Sequence, residues 1–120
     1  MKKRIFLICP VRNTPPEIKA KVEAYVAKLE AESKIVYYPA RDTDQDDPIG
    51  LRICLDNRWG IRQAHEVHIW YHKGSTGSVL DFGVVLQMEK KLVIANPEDL
   101  QPTPEKSLEN VLLAYSAKWQ

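Results

Sequence analysis

Asp81 is the side chain with the clearest chemical opportunity. It follows the small-residue run Gly74-Ser75-Thr76-Gly77-Ser78 and precedes the apolar residues Phe82, Val84, Val85 and Leu86. In the first turn of a helix a carboxylate has its charged form favoured, which suits a nucleophile or general base facing a ligand pocket. The same spacing has a purely structural reading. Ser78-Val79-Leu80-Asp81 fits the capping-box pattern ahead of an apolar run, in which case Asp81 only caps the helix. The Gly/Ser run is two-sided as well. Backbone N–H groups at a helix start bind phosphate or carboxylate, and glycine permits close approach. A tight strand-to-helix turn without a ligand uses the same residues. The spacing is neither a Walker loop, for lack of a Lys-Ser/Thr pair, nor GxGxxG.

Arg12, Arg41 and Arg52 lie in or beside the loops that would surround such a site, and their guanidinium forks suit bidentate contacts to phosphate or carboxylate. The alternative is surface pairing with Asp42, Asp44, Asp46 and Asp47, where ion pairs contribute little. Those aspartates do not form a calcium loop: the sixth position is Asp47 rather than Gly, and the twelfth is Ile53 rather than Glu. His65, His68 and His72 cluster, but HEVH is not HExxH and lies on or beside a strand. No closing ligand set is visible, so no structural metal is expected. Tyr37, Tyr38, Trp59, Trp70 and Tyr71 read as core or edge aromatics, one of which could stack on a ring-shaped ligand.

The elements that position these residues follow from hydrophobic period. Lys3 to Cys9 is a nearly continuous apolar strand, and Thr14-Pro15-Pro16-Glu17 starts a helix in which Thr14 caps and Glu17 closes a capping box. Ile18, Val22, Tyr25, Val26 and Leu29 fall on one face of that helix. Lys34 to Tyr38 is a second strand, and Pro39 to Pro48 a polar loop. A helix then runs from Pro48 to about Ala64, with Ile49, Ile53, Asp56/Asn57, Gly60/Ile61 and Ala64 on one stripe. EVHIWYHK, from Glu66, is a third strand. The Asp81 helix and the short apolar run LVIAN complete a βαβ unit. A last helix spans Pro104 to Lys118, with Leu108, Val111, Leu112 and Tyr115 inward. This alternation predicts a small doubly wound parallel α/β sheet, flavodoxin- or Rossmann-like, of four to five strands with helices on both faces. Ligands of such sheets bind beyond the carboxyl ends of the strands, where Arg12 and Asn13, Arg41 and Asp42, and Ser75 to Ser78 are expected to converge.

At 120 residues one domain spanning 1–120 is expected. A net charge of +1 argues against bulk electrostatic binding of a nucleic-acid polymer or an anionic membrane, though not against a local anion pocket. Cys9 and Cys54 are read as reduced, buried residues of a cytoplasmic protein. The opening MKKRIFLICPVRN imitates a signal peptide, but its apolar run is too short and ends at Pro10 and Arg12.

Three segments resemble the nucleoside 2-deoxyribosyltransferase and 2′-deoxynucleoside 5′-phosphate N-hydrolase superfamily, and the likeness covers most of the chain. ICPVRN resembles the first substrate loop of that family. LDNRWGIRQAHEVHIW resembles its helix-then-strand segment. GSVLDFGVVLQMEKKLVIAN resembles its G-T-x-x-E-x-G-x-A motif followed by a Lys-Pro-Val strand. The resemblance implies an enzyme acting on a nucleoside or nucleotide, without cofactor, through a covalent glycosyl-enzyme in the manner of retaining glycosidases. The nucleophilic glutamate of the family falls at Asp81 and its helper aspartate at Asn57, with Asp56 beside it. Gly77 and Ser78 match the residues that hold sugar or 5′-phosphate, and Pro10 and Arg12 fall in the substrate loop. Arg41, Asp42, Arg52 and Ser75 are expected around the same ligand. A homodimer or higher homo-oligomer is a further implication. This chain departs from the pattern where Asp replaces Glu at Asp81, Asn replaces Asp at Asn57, His65 stands at the strand start and Lys91-Leu92 replaces Lys-Pro. A catalytically silent nucleotide-binding module is the alternative reading.

Overall fold

A computed structural model describes residues 1–120. The elements are β1 (Arg4–Ile8), α1 (Pro16–Ala31), β2 (Ile35–Tyr37), the single turn α2 (Pro39–Asp42), α3 (Leu51–Gln63), β3 (Glu66–Ile69), α4 (Thr76–Met88), β4 (Lys91–Ile94) and α5 (Leu108–Ala117), with a 3₁₀ turn at Pro97–Asp99. The four strands form one sheet of order β2-β1-β3-β4, parallel throughout. The doubly wound α/β class expected from the alternation of elements is the one adopted.

Strand period explains the layering. Alternate residues of β1 point to opposite faces, and both faces are covered. Ile5, Leu7 and Cys9 pack with Val22, Val26 and Leu29 of α1. Phe6 and Ile8 pack with Ile61, Phe82, Val85 and Leu112 from α3, α4 and α5. Each such side chain, fully buried, stabilises the fold by roughly 1.5–3 kcal/mol. β1 thus runs through the middle of the core, which is why its sequence reads as an unbroken apolar run.

One glycine sets how closely α3 approaches the sheet. A Cβ on Gly60 would lie 3.0 Å from two ring carbons of Phe6 and 3.3 Å from Tyr37. Phe6 and Tyr37 are themselves stacked, with centroids 5.2 Å apart. The missing side chain lets α3 lie against them, and Asn57, one turn earlier, faces inward with it.

Several local expectations are corrected. Thr14 does not cap α1: the cap position is Pro15, without a side-chain bond, and Thr14 Oγ1 is buried without a partner. The polar loop contains the helical turn α2. The third helix begins at Leu51, not Pro48, because Gly50 before it is left-handed at φ 89°; Ile49 therefore leaves the inward stripe and is 90% exposed. The last helix begins at Leu108, not Pro104, because the Ser107 hydroxyl accepts from Asn110 N–H and caps it there; Val111 faces outward. Cys9 is buried, but Cys54 is only partly so. No helix is long and apolar enough to cross a membrane.

Candidate functional site

The strand order turns back between β1 and β3, because β2 and β4 lie on opposite outer sides of that pair. Ligand clefts of such sheets open at this switch point. A cleft of about 840 Å³ lies there, lined by the segment after β1 (Cys9 to Thr14), the segment after β3 (His72 to Gly77) and the start of α3. Its size is that of a small-molecule site.

Of the residues singled out in the sequence, Pro10, Arg12, Asn57, Ser75, Gly77 and Asp81 line this cleft. Five others are placed elsewhere. Arg41 and Asp42 pair at 2.9 Å, and Arg41 also pairs with Glu30 and donates to Val36 O. The turn α2 folds Arg41 back over β2. Asp42 closes that turn by accepting from Tyr38 N–H at 2.8 Å. Arg52 and Asp56 sit on the outer face of α3, 3.9 Å apart and well exposed. Ser78 is buried, its hydroxyl 2.8 Å from that of Ser75. The three histidines have separate surroundings. His65 Nδ1 accepts from Arg4 N–H. His68 lies between Tyr25 and Glu66. His72 lines the cleft. No three His, Cys, Asp or Glu side chains converge as a metal site would require.

α4 begins at Thr76 after the cap residue Ser75. Asp81 is therefore in the second turn, and the capping-box alignment of Ser78 with Asp81 does not occur. The Ser75 hydroxyl is engaged by Ser78, so it caps nothing, and the N–H groups of Thr76, Gly77 and Ser78 have no partner in the chain. This uncapped start borders the cleft beside Lys73, so positive dipole and a cationic side chain coincide.

The Asp81 carboxyl has one hydrogen-bond donor, Asn57 Nδ2 at 3.3 Å. Burial pushes its pKa up to about 7, and the Asn57 bond opposes that shift. The expectation that a helix start favours its charged form is thus reversed, since desolvation outweighs a dipole that fades beyond the first turn. Asn57 is itself buried and accepts from Thr43 Oγ1 at 2.9 Å, and Thr43 meets the Tyr37 hydroxyl at 2.7 Å. Cys9, at the carboxyl end of β1, also lines the cleft. Burial first, and Asp81 second, raise its thiol to about 12, so it stays protonated.

The second carboxylate of the cleft is Asp47. It accepts from Ile53 N–H at 3.1 Å. The N–H of Ile53, then those of Gly50, Ile49 and Arg52, hold its pKa below the usual carboxylate value. It serves the start of α3 and leaves Asp81 as the cleft carboxylate without a structural duty.

Sequence reasoning passed over Thr43, Lys73 and Asp47 as site residues, and treated His72 only as part of a histidine cluster. The position of His72 and Lys73 just after a parallel strand is the signal that would have found them. Thr43 carries no such signal, because its partners are distant in sequence. No family model matches the chain, and no curated protein matches it significantly.

Proposed function

We propose that this protein cleaves the N-glycosidic bond of a deoxynucleoside 5′-monophosphate or related nucleoside, with Asp81 as the nucleophile. The single observation that carries the reading is the state of Asp81: a carboxyl on the wall of a ligand-sized cleft, with its pKa raised to about 7 and only one amide as partner. A carboxylate kept short of partners destabilises the fold when ionised, a feature expected of chemistry rather than architecture.

In the proposed reaction the ionised carboxylate attacks C1′ of the sugar. The C1′–N bond breaks, its electron pair leaves with the base, and the base takes a proton from water or from a donor at the cleft. The product is an ester between Asp81 and C1′. Water then attacks C1′, the carboxylate departs, and a proton is lost to solvent; a second base attacking instead gives transfer. A 5′-phosphate would lie against the free N–H groups of Thr76 and Gly77, with Lys73 or Arg12 offsetting its charge and His72 beside it. These cleft cations take the place expected of Arg41 and Arg52. The Cys9 thiol is a poor competitor for the role of nucleophile, since it remains protonated. Asp81 is a methylene shorter than the glutamate of the family the sequence resembles. Its place on the cleft wall, with the Asn57 amide 3.3 Å away, supports its serving the same role.

The test is incubation with a panel of deoxynucleosides and their 5′-monophosphates, followed by chromatography for free base. Release from at least one substrate, faster with the monophosphate, is expected. Absence of release from every member, alongside tight binding of one, would favour a silent nucleotide-binding module.

A further inference from the structure

An asparagine amide helps a carboxylate in only one of its two rotations. With Nδ2 toward Asp81 it donates a hydrogen bond; turned over, it presents a carbonyl oxygen to the same carboxyl group. In the structure Asn57 turns Nδ2 to Asp81 at 3.3 Å and Oδ1 to Thr43. Thr43 Oγ1 donates to Asn57 Oδ1 at 2.9 Å. Having spent its one proton there, it can only accept from Tyr37, whose hydroxyl lies 2.7 Å away. With the amide so placed, donation runs from Tyr37 to Thr43 to Asn57 to Asp81. We propose that Thr43 and Tyr37 are positioning residues whose hydroxyls lock the Asn57 amide with its N–H group toward Asp81.

The chain is anchored at its far end. Tyr37 belongs to β2 and stacks on Phe6, which is fully buried in the central strand. Thr43 is 5% exposed and Asn57 6%, so water does not compete freely for these bonds. The Thr43 backbone is fixed from both sides. Its N–H donates to Pro39 O, and Gln45 Nε2 bonds both Pro39 O and Thr43 O. The polar segment between α2 and α3 thus has a definite task in presenting one hydroxyl to Asn57. The inference rests on the reading of Asp81 as the reactive group, but it concerns how that group is held.

The experiment is a carboxyl-carbon NMR titration of Asp81 in the intact, ligand-free protein, for the parent, Thr43→Val, Thr43→Ser and Tyr37→Phe. The other ionisable groups around the cleft, Cys9, Cys54, Arg12, Asp47, His72 and Lys73, are the same in all four. Thr43→Val preserves shape but removes the hydroxyl, so the amide is free to turn. Its Asp81 midpoint is expected to rise by roughly one pH unit, because a hydrogen bond to the charged form is lost. Thr43→Ser restores the hydroxyl and is expected to return the midpoint to the parental value. Tyr37→Phe keeps the ring stacked on Phe6 and is expected to give a smaller rise, which also serves as the test should Thr43→Val fail to fold. An unchanged midpoint in folded Thr43→Val or, failing that variant, in Tyr37→Phe overturns the proposal. The titration needs no substrate, so the two readings fail separately: base release surviving Asp81→Ala would remove the enzyme, and an immobile midpoint would remove the positioning role alone.

Discussion

Asp47 and Asp81 line the same cleft, and their surroundings drive their acidities in opposite directions. Asp47 sits ahead of α3 and gathers backbone N–H groups, which hold it ionised. Asp81 sits inside α4, is shielded from water, and receives one amide N–H. The difference shows how a fold divides its carboxylates. One completes a helix end, and its charge is spent on structure. The other is held at an energetic cost, with its charge available to something that enters the cleft. The helix starts repeat the contrast. That of α3 is closed by Asp47, whereas that of α4 has three N–H groups without partners in the chain.

The largest expected effect separates the two carboxylates by activity. Asp81→Ala should reduce base release by at least about 1000-fold, as loss of a covalent nucleophile does. Asp47→Ala should leave release within about tenfold of the parent at a temperature where both are folded. Equal losses, measured as kcat/KM on one monophosphate, would break the comparison.

Next in size is the support beneath Asn57. Gly60→Val places carbons against the Phe6 ring, where even a Cβ lies at 3.0 Å. Overpacking of that kind costs about 2 kcal/mol or more. Urea unfolding should show a lowered midpoint, with base release reduced in step as α3 is pushed outward.

Stability against pH separates the carboxylates by sign. The pKa of Asp81 in the folded protein lies near 7, above its unfolded value, so the folded state holds the proton more tightly. Its contribution is fully present below the unfolded pKa and is lost as pH rises through about 7. Asp81→Asn should therefore be more stable than the parent at pH 8, by on the order of 2 kcal/mol after discounting for partial exposure, and no more stable at pH 4. Asp47 behaves oppositely. Its folded pKa is lowered, so its contribution is present above the unfolded value and fades as pH falls through the folded one. Asp47→Ala should melt somewhat below the parent at pH 7, with the gap closing in acid. Thermal scans of both variants across this range test the signs together. The same acidity gives base release an ascending limb near pH 7, because only ionised Asp81 attacks.

The sheet was legible in the chain because apolar runs and helical period are local signals. β1, β3 and β4 announce themselves, and their order follows from right-handed crossovers. Asp81 was legible as an acid beside a small-residue loop. Its environment was not. A helix start three residues earlier than the capping pattern suggested moved it out of the first turn, away from the dipole and toward Asn57. Arg41 misled because a guanidinium in a polar loop looks available, whereas the turn α2 folds it onto Glu30 and Asp42. Thr14 reads as a cap but its hydroxyl meets no partner, whereas Ser107, passed over by a helix start at Pro104, accepts from Asn110 N–H and sets the start of α5. The Tyr37–Thr43–Asn57 chain was invisible, since its bonds join a strand, a loop and a helix whose proximity no local pattern encodes.

The most direct test of the central claim is mass spectrometry of the enzyme quenched during turnover of a deoxynucleotide slowed at the sugar, for instance by 2-fluoro substitution. One sugar phosphate, without its base, is expected covalently attached to the peptide containing Asp81, and none in Asp81→Ala. Base release with no adduct at Asp81, or an adduct on another residue, would contradict it.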